Sequence, residues 1–230
     1  MMMASAGKST NWFAIVISAV VVVVVVALGG LVVWMNGAAT APADAPAAGV
    51  VNEETGAIVV GDGPNVIEEY VDFMCPYCGQ YWEGYSEYVS EQVSEGNVTL
   101  EIHPISILDN QSQGTQYSTR SASATYCVAE ADGDAVYSFV DLLYDNQPSE
   151  STEGLSDDEL VAFAEQVGAE DAASCIAEGE YMDYVAERTE ETPVADGASG
   201  ISTPTIVVNG EIASLTFSGP ETDLAPLLTK

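Results

Sequence analysis

The chain's 230 residues carry 36 Asp and Glu against 4 Lys and Arg, a formal net charge of -32. A field of that sign repels nucleic acid and anionic lipid head groups, which argues against polyanionic partners, and so many carboxylates read as a solvated, solubilising surface. Four cysteines and a single histidine leave a structural zinc site without its second close ligand pair, so neither metal nor cofactor is expected.

From Trp12 to Trp34 there is no charged residue, and Val20 to Val26 are seven consecutive valines. At about 1.5 Å per residue such a run crosses a hydrocarbon core of roughly 30 Å, and terminal tryptophans suit the interfacial belts. Residues 12–35 are therefore expected to be a transmembrane helix. Lys8 is the only basic residue before it and none follows until Arg120, which places residues 1–11 in the cytoplasm and the rest of this single-pass protein outside the cell membrane. A cleaved signal peptide, with Ala39 and Ala41 near the processing site, is the alternative; the apolar stretch exceeds the usual h-region of roughly 7–15 residues. Either reading exports the same domain. Residues 36–56, rich in Ala, Pro and Gly, read as a semi-extended stalk. Residues 57–230 remain, enough for one domain with a substantial core.

The alternating run from Val66 meets Cys75-Pro76-Tyr77-Cys78 and then changes period: Trp82, Tyr85, Val89 and Val93 fall on one helical face. A strand thus delivers Cys75 to a helix amino terminus. Only a thiolate attacks a disulfide, and free N–H groups with the positive end of the helix dipole stabilise that anion. Pro76 suits the first turn, where its missing N–H costs nothing. Cys75 is expected to be exposed and acidic, and Cys78, one turn in, more buried and the resolving thiol.

In its E-x-x-D-F-x-C-P-x-C stretch (Glu69, Asp72, Phe73, Cys75, Pro76, Cys78) the sequence resembles the thioredoxin superfamily, and more closely the DsbA-like thiol:disulfide oxidoreductases of membrane-anchored bacterial type. A second family mark is G-I-S-T-P-T-I-V-V-N-G at residues 200–210. In that family the proline of such a segment is cis and lies beside the redox pair. The resemblance therefore implies that Thr203 and Pro204 guide a substrate strand, with Pro76 and Tyr77 contributing to substrate fit. Asn209-Gly210 is independently a two-residue hairpin turn, here between Thr205–Val208 and Glu211–Phe217.

The interval from Cys75 to Pro204, 204 − 75 = 129 residues, is longer than one strand and one crossover helix require. Much of it has helical spacing: Val136, Phe139, Val140 and Leu143, then a capping box Ser156-x-x-Glu159 opening Leu160, Phe163, Ala164 and Val167, then Tyr181, Tyr184, Val185 and Arg188. The expected fold is α/β, thioredoxin-like, with a helical subdomain inserted over about 112–195 and one transmembrane helix before it. C-P-Y-C is also the glutaredoxin motif, but glutaredoxins lack the long insertion. Cys127 and Cys175 fall within the insertion and are expected to form a structural disulfide; a second shuttle pair is the alternative.

Glu69 shares a strand face with Val71 and Phe73. In the family an acidic residue here lies beneath the redox pair and helps the buried cysteine lose its proton; a partly exposed carboxylate without function is the alternative. Asp72, on the opposite face, is expected to settle the local turn, and His103 to pack or hydrogen-bond rather than catalyse. The resulting reading is a monomeric oxidase that introduces disulfide bonds into exported polypeptides with free thiols and is reset by a membrane redox partner. Tyr77 stands where the strongest oxidants of the family carry histidine, and Thr203 where they commonly carry valine. An extracytoplasmic reductase or isomerase therefore stays open, as does a non-enzymatic peptide-binding or chaperone module, against which the retention of both thiols argues.

Overall fold

The computed structural model describes residues 43–228 apart from residue 48, and in the amino-terminal stretch Trp12, Val16, Ile17, Val20, Val21 and residues 23–30. It divides into two units, 1–42 and 43–230. In the first, every described residue is helical, and its valines are exposed. Among the described residues no helix is long and apolar enough to cross a membrane. The span expected over 12–35 falls in part on residues outside the described ones, as do 1–11 and 36–42 entirely.

The second unit is built on a five-stranded sheet of β1 (Ile58–Val60), β2 (Asn65–Val71), β3 (Val98–Pro104), β4 (Thr205–Val208) and β5 (Glu211–Ile212), in the order β1-β3-β2-β4-β5. Only β2 and β3 are parallel, Tyr70 lying opposite His103. Parallel neighbours need a crossover, and α1 (Pro76–Ser94) supplies it, burying Cys78, Tyr81, Trp82, Tyr85 and Val89 at helical spacing. Asn209 and Gly210 both have positive φ, 52° and 83°, the conformation of the tight hairpin turn between β4 and β5.

Between β3 and β4 lie α2 (Tyr117–Ala131), α3 (Val136–Asp145), α4 (Asp157–Gln166), α5 (Ala173–Glu178) and α6 (Met182–Glu190). α2 is buried along nearly its whole length because Ser118, Ser121, Ala122, Ser123, Ala124 and Thr125 are small. Its hydroxyls find partners within the protein: Ser121 and Thr125 donate to carbonyls one turn back, and Ser118 donates to Asp72. α4 opens with both bonds of the Ser156–Glu159 capping box. A disulfide joins Cys127 of α2 to Cys175 of α5.

Two expected boundaries are corrected. Of the stalk expected over 36–56, residues 43–47 and 49–56 are instead part of the folded unit, and 36–42 lie outside the described residues. Ala43 N–H donates to Glu187, Val51 bridges to Ile58, Asn52 and Thr55 donate to Glu101, and Tyr126 donates to the Gly56 carbonyl. Once sequence offers Glu101 as an acceptor on β3, the Asn and Thr of the supposed stalk have a reason to bind. The last strand, expected to reach Phe217, ends at Ile212. Asp223 accepts both the N–H and the hydroxyl of Thr216, drawing the backbone off the ladder, and Phe217 follows at φ 55°.

Candidate active site

Cys75 is the N-cap of α1 and Pro76 opens its first turn. Both cysteines are free thiols; Cys75 is 4% exposed and Cys78 fully buried. The expectation of an exposed Cys75 is thus corrected: the loop carrying Thr203 lies over it, with the thiol 3.5 Å from the Thr203 carbonyl. The Thr203–Pro204 peptide bond is cis. The Thr203 hydroxyl lies 3.0 Å from the Cys78 sulfur and donates to the Tyr70 carbonyl, so the loop touches both sulfurs and the end of β2.

The two thiols are driven apart in acidity. That of Cys75 is held below its ordinary value chiefly by the hydrogen bond from Cys78, aided by the backbone N–H groups of Cys78 and Tyr77, against the opposing effect of burial. Burial pushes the Cys78 thiol well up, and its bond and proximity to Cys75 push it further. Of the two thiols, the outer one is thus the more readily ionised and the inner one the more firmly protonated.

Glu69 is 1% exposed, so the partly exposed alternative does not hold. Tyr81 donates to one of its oxygens at 2.8 Å, while the other has no hydrogen-bond partner among the described residues. Burial raises its pKa to about 7, against the lowering effect of the Tyr81 bond. Asp72 is buried and accepts from the N–H groups of Met74 and Leu108 and from Ser118, tying the motif's turn to α2. Burial lifts it to about 6 in spite of these bonds.

Beside the pair runs a groove of about 360 Å³ lined by Tyr77, Thr203, Pro204, Ile212, Leu215 and Phe217. Tyr77 is 62% exposed, its ring 6.3 Å from that of Phe217. The structure thus brings Cys75, Pro76, Tyr77, Cys78, Thr203 and Pro204 together, with Glu69 in the adjoining strand. Cys127 and Cys175 lie apart in the helical insertion, and His103 sits on the β2 face opposite Glu69, stacked on Tyr70 at 4.0 Å.

One residue of the site had no sequence signal. Gln147, just beyond α3, donates to the carbonyls of Phe73 and Cys75 at 3.1 and 2.9 Å, pinning the chain at the thiol. Its access depends on Gly79, where an added Cβ would meet the Gln147 side chain at 2.3 Å.

The family profile described as Thioredoxin matches residues 53–221. The oxidised form of Mycobacterium tuberculosis DsbA superposes with a TM-score of 0.59 at 29% identity, over 70% of this chain and 86% of that one. The reduced form of the disulfide bond oxidoreductase DsbG of the same organism gives 0.57 at 29%, over 71% and 77%. Among curated relatives, the serine/threonine-protein kinase PknE of M. tuberculosis is 33% identical over 144 residues, 60% of this chain. The chain spans 25% of that kinase's length. The chain belongs to the thioredoxin family, as a thiol:disulfide oxidoreductase of the DsbA type.

Proposed function

We propose that the protein is an extracytoplasmic, membrane-anchored oxidase of exported polypeptides, with Cys75 as the attacked sulfur. The observation behind the direction of electron flow is the seat of Cys75 at the N-cap of α1, where the N–H groups of Tyr77 and Cys78 favour its thiolate. Whatever stabilises the reduced pair makes its disulfide the stronger oxidant. A substrate thiolate attacks the Cys75 sulfur of the Cys75–Cys78 disulfide, forming a mixed disulfide and expelling Cys78 as a thiolate that takes up a proton. A second substrate thiolate then attacks the substrate's own sulfur, its disulfide forms, and Cys75 leaves as a thiolate. The substrate loses two electrons and the enzyme gains them, to be passed to a membrane redox partner.

In this scheme Glu69, with a pKa near neutrality, exchanges the Cys78 proton. The cis-Pro loop and the Tyr77–Phe217 groove receive the substrate strand. The uncharged Trp12–Trp34 run supports the anchor, and a Cys127–Cys175 disulfide suits an oxidising compartment. Residue identity favours the second reading, a reductase or isomerase, because Tyr77 and Thr203 stand where the strongest oxidants of the family carry histidine and commonly valine.

The equilibrium potential of the Cys75–Cys78 pair in the full chain, titrated against glutathione, separates the two. About -120 to -180 mV is expected for the oxidase; about -270 mV would make it a reductase.

A further inference from the structure

Glu68 on β2 and Glu101 and His103 on β3 share one face of the sheet, set side by side by the register that pairs Glu68 with Glu101 and Tyr70 with His103. His103 is 4% exposed, and among the described residues its Nε2 has no hydrogen-bond partner. That nitrogen lies 3.9 Å from Glu68 Oε2 and 3.8 Å from Glu101 Oε2, beyond hydrogen-bonding reach of both. The three ligand atoms all lie within 4.8 Å of one another. A buried imidazole nitrogen that meets two carboxylate oxygens only at ion-pair distance leaves ligand atoms of three side chains converging on one point.

The distances suit a small cation. Tetrahedral zinc holds its N and O ligand atoms about 3.4 Å apart, so each His–Glu edge of the triangle needs to close by roughly 0.4 Å. The surrounding bonds are those that orient ligating groups. Tyr70 donates to Glu68 Oε2 at 2.9 Å while stacking on the imidazole, and Asn52 and Thr55 donate to the two oxygens of Glu101. Two carboxylates balance a divalent charge, and a net charge of -32 raises the local concentration of cations. Zinc sites built from cysteine and histidine pairs are legible in sequence, whereas carboxylates brought together by strand pairing are not.

We propose that Glu68, Glu101 and His103 bind one divalent transition cation of the Zn2+ class, leaving a fourth position for water. The site is separate from the redox chemistry yet adjoins it. Tyr70, which contacts the imidazole and Glu68, offers its carbonyl to Thr203 beside Cys78. A cation here clamps β2 to β3 and, through Glu101, to the docked segment at Asn52 and Thr55.

The chain has one histidine, so its imidazole 15N resonances report on His103 without assignment. The test is a titration of Zn2+ into the full chain, with Cys75–Cys78 oxidised so that the thiols do not compete, in excess Mg2+ to saturate surface carboxylates. One equivalent is expected to shift the Nε2 resonance to a metal-bound position. Glu68→Gln, at a partly exposed side chain, is expected to weaken binding at least tenfold by equilibrium dialysis, and Glu211→Gln, at an exposed acid two strands away on the other face of the sheet, to leave it unchanged. An Nε2 resonance unmoved by a tenfold excess of Zn2+ would overturn the site and leave an imidazole that holds only a proton. Equal affinity in wild type and Glu68→Gln would overturn it too, by assigning the zinc to scattered surface acids.

Discussion

Glu69 is an acid placed where ionisation is unfavourable. In the unfolded chain it titrates near its ordinary 4.5 and in the folded protein near 7. Between those values the native state binds the proton more tightly, so stability falls as pH rises from 4.5 through 7 and is level outside that window. Glu69→Gln removes the dependence while keeping an acceptor for Tyr81. Denaturant melts should find the variant more stable than wild type by about 3 kcal/mol at pH 8 and no more stable at pH 4. A difference unchanged across that range would mean the carboxyl is not buried in its charged form. The protein keeps a residue that weakens it at neutral pH, which fits a proton-handling role better than a packing one. Gln147 illustrates the opposite case. It is neutral, fully engaged at two carbonyls, and invisible in sequence because its partners are main-chain groups far away along the chain.

Among the elements, α2 and α5 carry the disulfide. Cross-linking two residues 48 apart limits the unfolded chain, and removing the bond with a Cys127→Ala, Cys175→Ala double variant is expected to cost about 4 kcal/mol. The same variant should leave the Cys75–Cys78 potential where it was; a displaced potential, or lost turnover with stability retained, would make this a shuttle pair instead. How much of the fold could be read beforehand depended on where each element's partners lie. α1 and α4 announced themselves through local chemistry, a Pro-started helix with an apolar face and a reciprocal capping box. β2 and the Asn209-Gly210 turn did so through period and turn residues. The end of β5 did not, because the carboxylate that unpairs Thr216 comes from Asp223, after the strand pattern has run on. Nor did the covering of Cys75, which a loop 128 residues away provides. Local patterns fix elements; long-range polar partners trim them.

At the scale of the molecule, charge is the dominant fact. Among the described residues, both arginines are already committed: Arg120 to Asp157 and two carbonyls, joining the starts of α2 and α4, and Arg188 to Glu191. Most of the 36 acids therefore face one another across solvent, and their repulsion favours expansion. Raising ionic strength from 0.01 to 1 M shortens the screening length from about 30 to about 3 Å. Thermal melts should gain about 2 kcal/mol of stability, roughly 4–8 °C in Tm, over that range. A melting temperature indifferent to salt would show that the acids are spaced widely enough not to interact. The docked segment ahead of β1 has a consequence of its own: with Val51 bridged to Ile58, Asn52 and Thr55 on Glu101, and Gly56 held by Tyr126, a cut just before β1 would expose the edge strand and strip a buried carboxylate of these two donors.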